Sequence, residues 1–202
     1  SVPAGAVAIH FASPEALAPA MEWNIAAGAG ALIGTTGLES EQLMQLDEAA
    51  RHIAVLLTPN TATGVNVLFW LVRQATRLLG ADYDIEIVEM HHHHKKDAPS
   101  GTARRLADTI LDERGDQWAR RVRHGRVGQV GARPSGEIGI HALRGGDVVG
   151  DHMISFAGPG ERIELIHRAH SRATFAQGAL RAAAWLSGRA PGRYSMDDVL
   201  AL

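Results

Sequence analysis

The segment VAIHFASPEALAPAMEWNIAAGAGALIGTTG, residues 7–37, decides the fold. Val7 to Phe11 is a short apolar run, the pattern of a parallel strand buried on both faces. Ser13 follows as a helix N-cap, with Pro14 at the first helical position. That helix is predicted to reach about Ala27 and to stop at Gly28 or Gly30. Ala31 to Ile33 reads as a second strand, closed by Gly34-Thr35-Thr36-Gly37. Further along, Ser40 caps a helix over about Glu41 to Arg51, and Ile53 to Leu57 is a third strand ending at Thr58-Pro59-Asn60. Strand–helix–strand–helix–strand is one half of a doubly wound sheet, whose ligands sit beyond the carboxyl ends of the strands.

The character of the chain changes near Gly64. The helix from Gly64 to Leu79 is apolar on most faces, as expected of a helix buried between layers. Asp84 to Met90 reads as a strand with Ile85, Ile87 and, less cleanly, Val88 facing a core. Ser100 is the expected N-cap of a helix to about Arg114. Residues 115–136 are rich in Gly and Arg and predict a long loop. Glu137–Leu143, Asp147–Phe156 and Glu161–His170 read as antiparallel strands, joined at Arg144-Gly145-Gly146 and Gly158-Pro159-Gly160. The last long helix is predicted over about Arg172 to Leu186.

The expectation is an α/β chain in two parts: a partial Rossmann-like parallel sheet over residues 1–63, with 172–202 returning, plus an α+β domain with a mixed sheet over residues 64–171. The chain's 202 residues can bury roughly 70% of their unfolded surface. A net charge of −2 gives no footprint for nucleic acid or an anionic membrane. There are no cysteines, which removes disulfides and thiolate metal sites. No apolar run approaches the roughly 18 residues of a membrane span, and no signal segment opens at Ser1, so a cytoplasmic enzyme is expected.

Chemistry concentrates in Glu89 to Thr102. Of the 20 lysine and arginine residues only Lys95 and Lys96 are lysines, adjacent to each other in this run. Lysine can give up a proton where its surroundings lower its pKa; arginine cannot. His91 to His94 precede them. Adjacent loop histidines point in different directions and lack the helical spacing of a metal pair, so no metal is expected. Acid–base and anion chemistry suits the run better, with crowded cations lowering one another's pKa. Ser100-Gly101-Thr102 opens a helix, where free N–H groups and the positive dipole end favour an anion. Cations facing a helix start suit a small dianion. Gly28-Ala29-Gly30 precedes a strand rather than following one, and is therefore not a phosphate loop.

Read as EMHHHHKKDAPSGTA, residues 89–103 closely resemble the signature of the 4-hydroxy-tetrahydrodipicolinate reductase (dihydrodipicolinate reductase) family, roughly E-x-H-H-x-H-K-x-D-A-P-S-G-T-A. IGTTG at 33–37, Pro59-Asn60 followed by Gly64-Val65-Asn66, IGIHALRGGDVVG at 138–150 with His152, and SRATFAQGA at 171–179 also resemble family segments, in the family order. The resemblance implies NADH- or NADPH-dependent reduction of a cyclic dicarboxylate, with loss of its 4-hydroxyl as water, in lysine and diaminopimelate synthesis. It implies that residues 1–63, with 172–202 returning, are an incomplete dinucleotide-binding domain, and that residues 64–171 are the substrate-binding and tetramerisation domain, through whose sheets a homotetramer is built. By matching positions, His91 is implied as proton donor or acceptor and Lys95 as the second proton donor. His92, Ser100, Gly101 and Thr102 would hold the substrate, and Gly34, Thr35, Thr36, Pro59, Asn60, Thr61 and Ala62 would face the nicotinamide half of the cofactor.

Two departures accompany the resemblance. The family's opening strand and phosphate loop have no counterpart here, so Ser1 stands where roughly 60 to 80 residues would already have passed. The family's aspartate and threonine around the first strand are His10 and Ala12. Two alternatives follow: a cofactor-impaired module that binds a dicarboxylate and oligomerises, or a related NAD(P)-dependent dehydrogenase of another small acid.

Overall fold

The computed structural model describes residues 2–202. In chain order its elements are β1 (Val7–His10), α1 (Leu17–Ala27), β2 (Gly30–Ile33), α2 (Ser40–Ala49), β3 (Ala54–Leu57), α3 (Thr63–Leu79), β4 (Asp84–His91), α4 (Gly101–Arg114), α5 (Trp118–Arg121), β5 (Val122–His124), β6 (Ile138–Arg144), β7 (Gly150–Gly158), β8 (Glu161–Ala169), α6 (Ala173–Leu186), β9 (Gly192–Tyr194) and α7 (Met196–Leu200). The chain divides into two compact units, one running up to Asn66 and resuming over Ala173–Leu202, the other Val67–Arg172.

The first unit is a parallel sheet in the order β1-β2-β3-β9. Both faces of β2 and β3 are buried, which is why their sequences are unbroken apolar runs. On one face Ala31, Ile33 and Val55 pack with Leu17 and Met21 of α1 and Leu46 and Ala49 of α2. On the other, Leu32 and Leu56 pack with Ala182 and Leu186 of α6 and Met196 and Val199 of α7. Each fully buried leucine or isoleucine here contributes ~1.5–3 kcal/mol. Gly28 ends α1 at φ 62°, a left-handed conformation that glycine adopts without steric cost.

Several local expectations are corrected. Ser13 makes no side-chain cap, and Pro14–Ala16 form a 3-10 turn before α1 begins. Glu39, not Ser40, caps α2; its backbone N–H donates to Gln42 Oε1 at 2.8 Å. The short strand β9 and helix α7 were not foreseen, because three residues without alternation carry no strand signal. Within α3, Val65, Leu68, Phe69 and Val72 are buried while Leu71 and Leu78 are exposed, so the helix is a stripe rather than apolar all round.

The second unit is a mixed sheet in the order β5-β6-β4-β7-β8. β6 runs parallel to β4 on one side, and β7 runs antiparallel to it on the other. The expected hairpin at Arg144-Gly145-Gly146 is therefore not one. A parallel neighbour needs a long crossover, and α4 supplies it. With β6 docked on one side of β4, the next strand takes the free side, and its connection crosses the end of β4. Gly145 N–H donates to His91 O at 3.0 Å and His93 N–H to Gly146 O at 3.2 Å. β7 and β8 do form the expected antiparallel hairpin, turning at Gly160 with φ 81°.

The predicted loop over 115–136 contains α5 and the edge strand β5, whose exposed Arg123 and His124 hide it from a hydrophobic pattern. The remainder of that loop is tied to β4. Arg126 pairs with Glu86 at 2.7 Å and Glu137 at 2.6 Å, Arg133 with Asp84 at 2.6 Å, and His141 with Glu86 at 2.7 Å. Burial would raise the Glu86 carboxyl, but these hydrogen bonds outweigh it and hold it down to about 2.

Candidate active site

In β4, the buried residues are Ile85, Ile87, Glu89 and His91, not Val88. A strand alternates strictly, so the face that carries isoleucine into the core carries a carboxylate and an imidazole at its end. Glu89 is 0% exposed and His91 is 9% exposed. A buried carboxylate needs partners for every lone pair, and Glu89 has them. Oε2 accepts from His91 Nδ1 at 2.6 Å and Arg144 Nη1 at 2.9 Å. Oε1 accepts from Arg144 Nη2 at 2.9 Å and from Ser100 N–H at 3.1 Å. Burial would raise this carboxyl, but the bonds from His91 and Arg144 hold it down to about 2.

The start of α4 is fixed by the same cluster. Ser100 caps the helix, its Oγ accepting from Ala103 N–H at 3.2 Å. The same Oγ lies 3.1 Å from His152 Nε2 of β7. Burial, followed by the nearby His91, pushes the His152 imidazole down to about 3, so it is neutral at physiological pH. Gly101 is exposed, and a side chain there would meet only open space, so neither packing nor backbone conformation demands glycine. Thr102 is half-buried.

Lys95 lies in the loop between β4 and α4. Its side chain is only 20% exposed, and Nζ donates to Asp97 Oδ1 at 2.8 Å. His92 lies 3.5 Å from Arg172 Nη2. Burial, followed by the charge of Arg172 and then of His91, His94 and Lys95, lowers the His92 pKa. The second unit thus gathers His91, His92, Lys95 and Ser100-Gly101-Thr102 where β4 ends and α4 begins. Glu89, Asp97, Arg144, His152 and Arg172 were not given roles from the sequence. For Glu89 the signal was present: it continues the period-two alternation set by Ile85 and Ile87.

The remaining expected residues lie in the first unit. Gly34-Thr35-Thr36 follows β2 and Pro59-Asn60-Thr61-Ala62 follows β3, at the carboxyl ends of adjacent strands joined by Thr58 N–H to Ile33 O at 2.9 Å. Thr36 and Pro59 are exposed, whereas Thr61 and Ala62 are 1% and 0% exposed. Thr61 Oγ1 donates to Phe175 O at 2.7 Å, and Ala62 N–H to Asn60 Oδ1 at 2.9 Å, so these two hold the turn in shape. The Phe11 ring, 59% exposed, lies on Gly34: a Cβ there would sit 2.0 Å from the ring. His10 bonds Asn24 Oδ1 at 2.9 Å and so serves the strand's packing. Among the described residues no cluster of His, Asp or Glu is placed to hold a metal ion, and no helix is long and apolar enough to cross a membrane.

The sequence matches two family models, described as "Dihydrodipicolinate reductase, N-terminus" over residues 2–61 and "Dihydrodipicolinate reductase, C-terminus" over residues 64–200. A 4-hydroxy-tetrahydrodipicolinate reductase of Anaeromyxobacter dehalogenans is 51% identical over 202 residues, covering 100% of this chain and 75% of the relative. One from Akkermansia muciniphila is 50% identical, covering 97% of this chain and 80% of the relative. The structure is similar to a dipicolinate-bound dihydrodipicolinate reductase from Paenisporosarcina sp. TG-14, with TM-score 0.75, 27% identity, and coverage of 94% of this chain and 71% of that one.

Proposed function

The chain belongs to the dihydrodipicolinate reductase family, and on that premise we propose that it reduces 4-hydroxy-tetrahydrodipicolinate to tetrahydrodipicolinate with NADH or NADPH, in lysine and diaminopimelate synthesis. One observation carries the reading. Within the fifteen-residue signature Glu89 ties the His91 imidazole to an open helix start, and Asp97 holds the Lys95 ammonium.

The substrate carries two carboxylates. Gly101 offers them an unobstructed backbone, with the Thr102 hydroxyl beside it, while the buried Ser100 takes part by capping the helix start that faces them. His92 and Lys95 supply the opposing hydrogen-bond donors. The glycine at 101 has no reason within the protein, which favours close approach of a ligand. Departure of the 4-hydroxyl as water consumes a proton, and His91 Nε2 and Lys95 Nζ are the atoms that hold and move it.

The cofactor, when bound, supplies the hydride. Residues of the first unit fit its nicotinamide half. Exposed Thr36 and Pro59 follow adjacent parallel strands, and the exposed Phe11 ring beside Gly34 offers a flat apolar surface. Thr35 and Asn60 complete the two turns, with Thr61 and Ala62 supporting the second. The relatives named as reductases and the dipicolinate-bound structure support a dicarboxylate ligand.

The protein is a homotetramer in this reading. β8 is an edge strand that exposes Ile163 and Ile166, as expected of a surface completed by another copy. A reductase drawing on the nicotinamide pool is placed in the cytoplasm. The test is to measure NADH and NADPH oxidation with the hydroxy-dicarboxylate, and to titrate pyridine-2,6-dicarboxylate. Turnover with analogue affinity supports the reductase. Analogue binding without cofactor binding identifies a dicarboxylate module instead, and cofactor binding without analogue affinity points to a dehydrogenase of another acid.

A further inference from the structure

The Glu89–Arg144 ion pair has no part in the proton and anion chemistry proposed above, yet it bonds His91, Ser100 and the backbone of Asp97 directly. We propose that this pair is a positioning device for both proton-handling side chains, acting on His91 directly and on Lys95 through Asp97. The proposal rests on the reductase reading.

Consider His91 first. An ionised carboxylate only accepts hydrogen bonds. Glu89 Oε2 lies 2.6 Å from His91 Nδ1, so Nδ1 carries the hydrogen. The neutral ring then presents a bare lone pair at Nε2, and the cation presents Nε2–H. Proton exchange is confined to one atom in one direction, the arrangement by which a second group sets a histidine tautomer. The other groups facing the ring do not compete. His152 of β7 stands edge-on with ring centroids 5.2 Å apart, and it is neutral. Arg144 of β6 spends its charge on Glu89.

Lys95 is reached from the other side of the guanidinium. Arg144 Nη2 also donates to Asp97 O at 2.6 Å, and Nη1 to Leu143 O at 2.6 Å. Asp97 Oδ1 then accepts from Lys95 Nζ at 2.8 Å. The guanidinium therefore fixes the backbone of the residue whose carboxylate holds the ammonium. Glu89 Oε1 fixes the helix start as well, through Ser100 N–H. A buried ion pair is a weak source of stability, and apolar replacements often match it. Here two of the four bonds to Glu89 go to His91 and Ser100, both already placed in the site, so a purely structural role leaves the choice of partners unexplained.

Three measurements test the proposal. Histidine ¹⁵N NMR of the wild-type protein at pH 8, assigned with His91→Asn, is expected to show His91 as the Nδ1–H tautomer. An Nε2–H tautomer overturns the proposal without any variant having to fold. Glu89→Gln is expected to lower kcat by about 100-fold or more, within the roughly 10²- to 10⁴-fold range of a positioned acid–base group. Its affinity for pyridine-2,6-dicarboxylate should stay within about threefold, because the amide oxygen of the glutamine can still accept from Ser100 N–H and hold the helix start. Arg144→Lys keeps the charge but loses the fork, and is expected to lower kcat by about 10-fold while the ¹⁵N signature of His91 persists. Folded Glu89→Gln with kcat within threefold of wild type overturns the proposal, as does loss of analogue affinity in step with kcat. If wild type neither turns over nor binds the analogue, the reductase reading fails, while the tautomer measurement still decides the positioning claim.

Discussion

A Cβ on Gly150 would lie 3.0 Å from His91 Nε2. Gly150 opens β7 with no positive φ, so its backbone conformation suits any residue. The constraint is the imidazole edge alone. Gly150→Ala is therefore expected to fold, to push the ring by a few tenths of an ångström, and to lose activity by roughly severalfold, since about 1 Å of displacement at a reacting group costs on the order of 100-fold. Affinity for pyridine-2,6-dicarboxylate should change much less. Steady-state kinetics beside a binding titration check this; full activity would show that His91 has room to shift.

Gly178 occupies the equivalent position for the other ligand set. An added Cβ would fall 1.8 Å from Thr61 O and 2.7 Å from its carbonyl carbon, a backbone clash that no rotamer relieves. Gly178→Ala must push α6 from the Pro59–Ala62 turn, breaking the bond from Thr61 Oγ1 to Phe175 O. The expected result is destabilisation by roughly 2–3 kcal/mol and weaker NAD(P)H binding. Urea unfolding and a cofactor titration read the two effects separately. A stable variant with normal cofactor affinity would remove the turn from the cofactor site.

The parallel half was legible because its strands are buried on both faces and bounded by Gly, Pro and Asn; Leu32 and Ile33 announce themselves. The order of the mixed sheet was not. Local patterns locate β6 and β7, but nothing local says that β4 lies between them, since pairing is decided by the α4 crossover. The site was legible where a run of residues is contiguous, as from Glu89 to Thr102. Arg144 and His152 were missed as functional residues because they reach Glu89 and Ser100 from strands more than 50 positions away in sequence. Register brings Glu89 opposite His152, and a hydrophobic pattern does not encode register across a crossover.

Lys95 and Asp97 separate rate from stability. The Asp97 side chain is 62% exposed, so the pair with Lys95 contributes at most about 1 kcal/mol to folding. Lys95→Ala is expected to lower kcat by about 100-fold with little change in Tm. Asp97→Asn retains an acceptor but loses the charge that orients the ammonium, and a drop of about 10-fold is expected. Kinetics and thermal melts on both variants check the order. Equal activity in Lys95→Ala would take lysine out of the mechanism.

Buried His152 makes stability depend on pH in a defined window. Burial and the neighbouring His91 place its folded pKa at about 3 against an ordinary 6.5. Between those values the unfolded chain binds a proton that the folded chain refuses, so stability rises with pH across the window and is lost as pH falls. The slope is halved at pH 6.5 and vanishes about one pH unit above it. His92 and His167 are lowered as well and act in the same direction. Glu86 and Glu89, held at about 2 against 4.5, bring their own loss only below pH 4.5. The interval from 6.5 to 5 therefore belongs to the histidines, and His152 alone accounts there for about 2 kcal/mol at ~1.4 kcal/mol per pH unit. Urea unfolding at pH 7.5, 6.5 and 5 should show a plateau and then a fall. His152→Gln keeps a group that can donate to or accept from Ser100 Oγ and cannot titrate, so it should flatten most of that fall. An unchanged slope in the variant would move the proton uptake to His92 and His167 and leave His152 without the buried, neutral state on which its partnership with Ser100 depends.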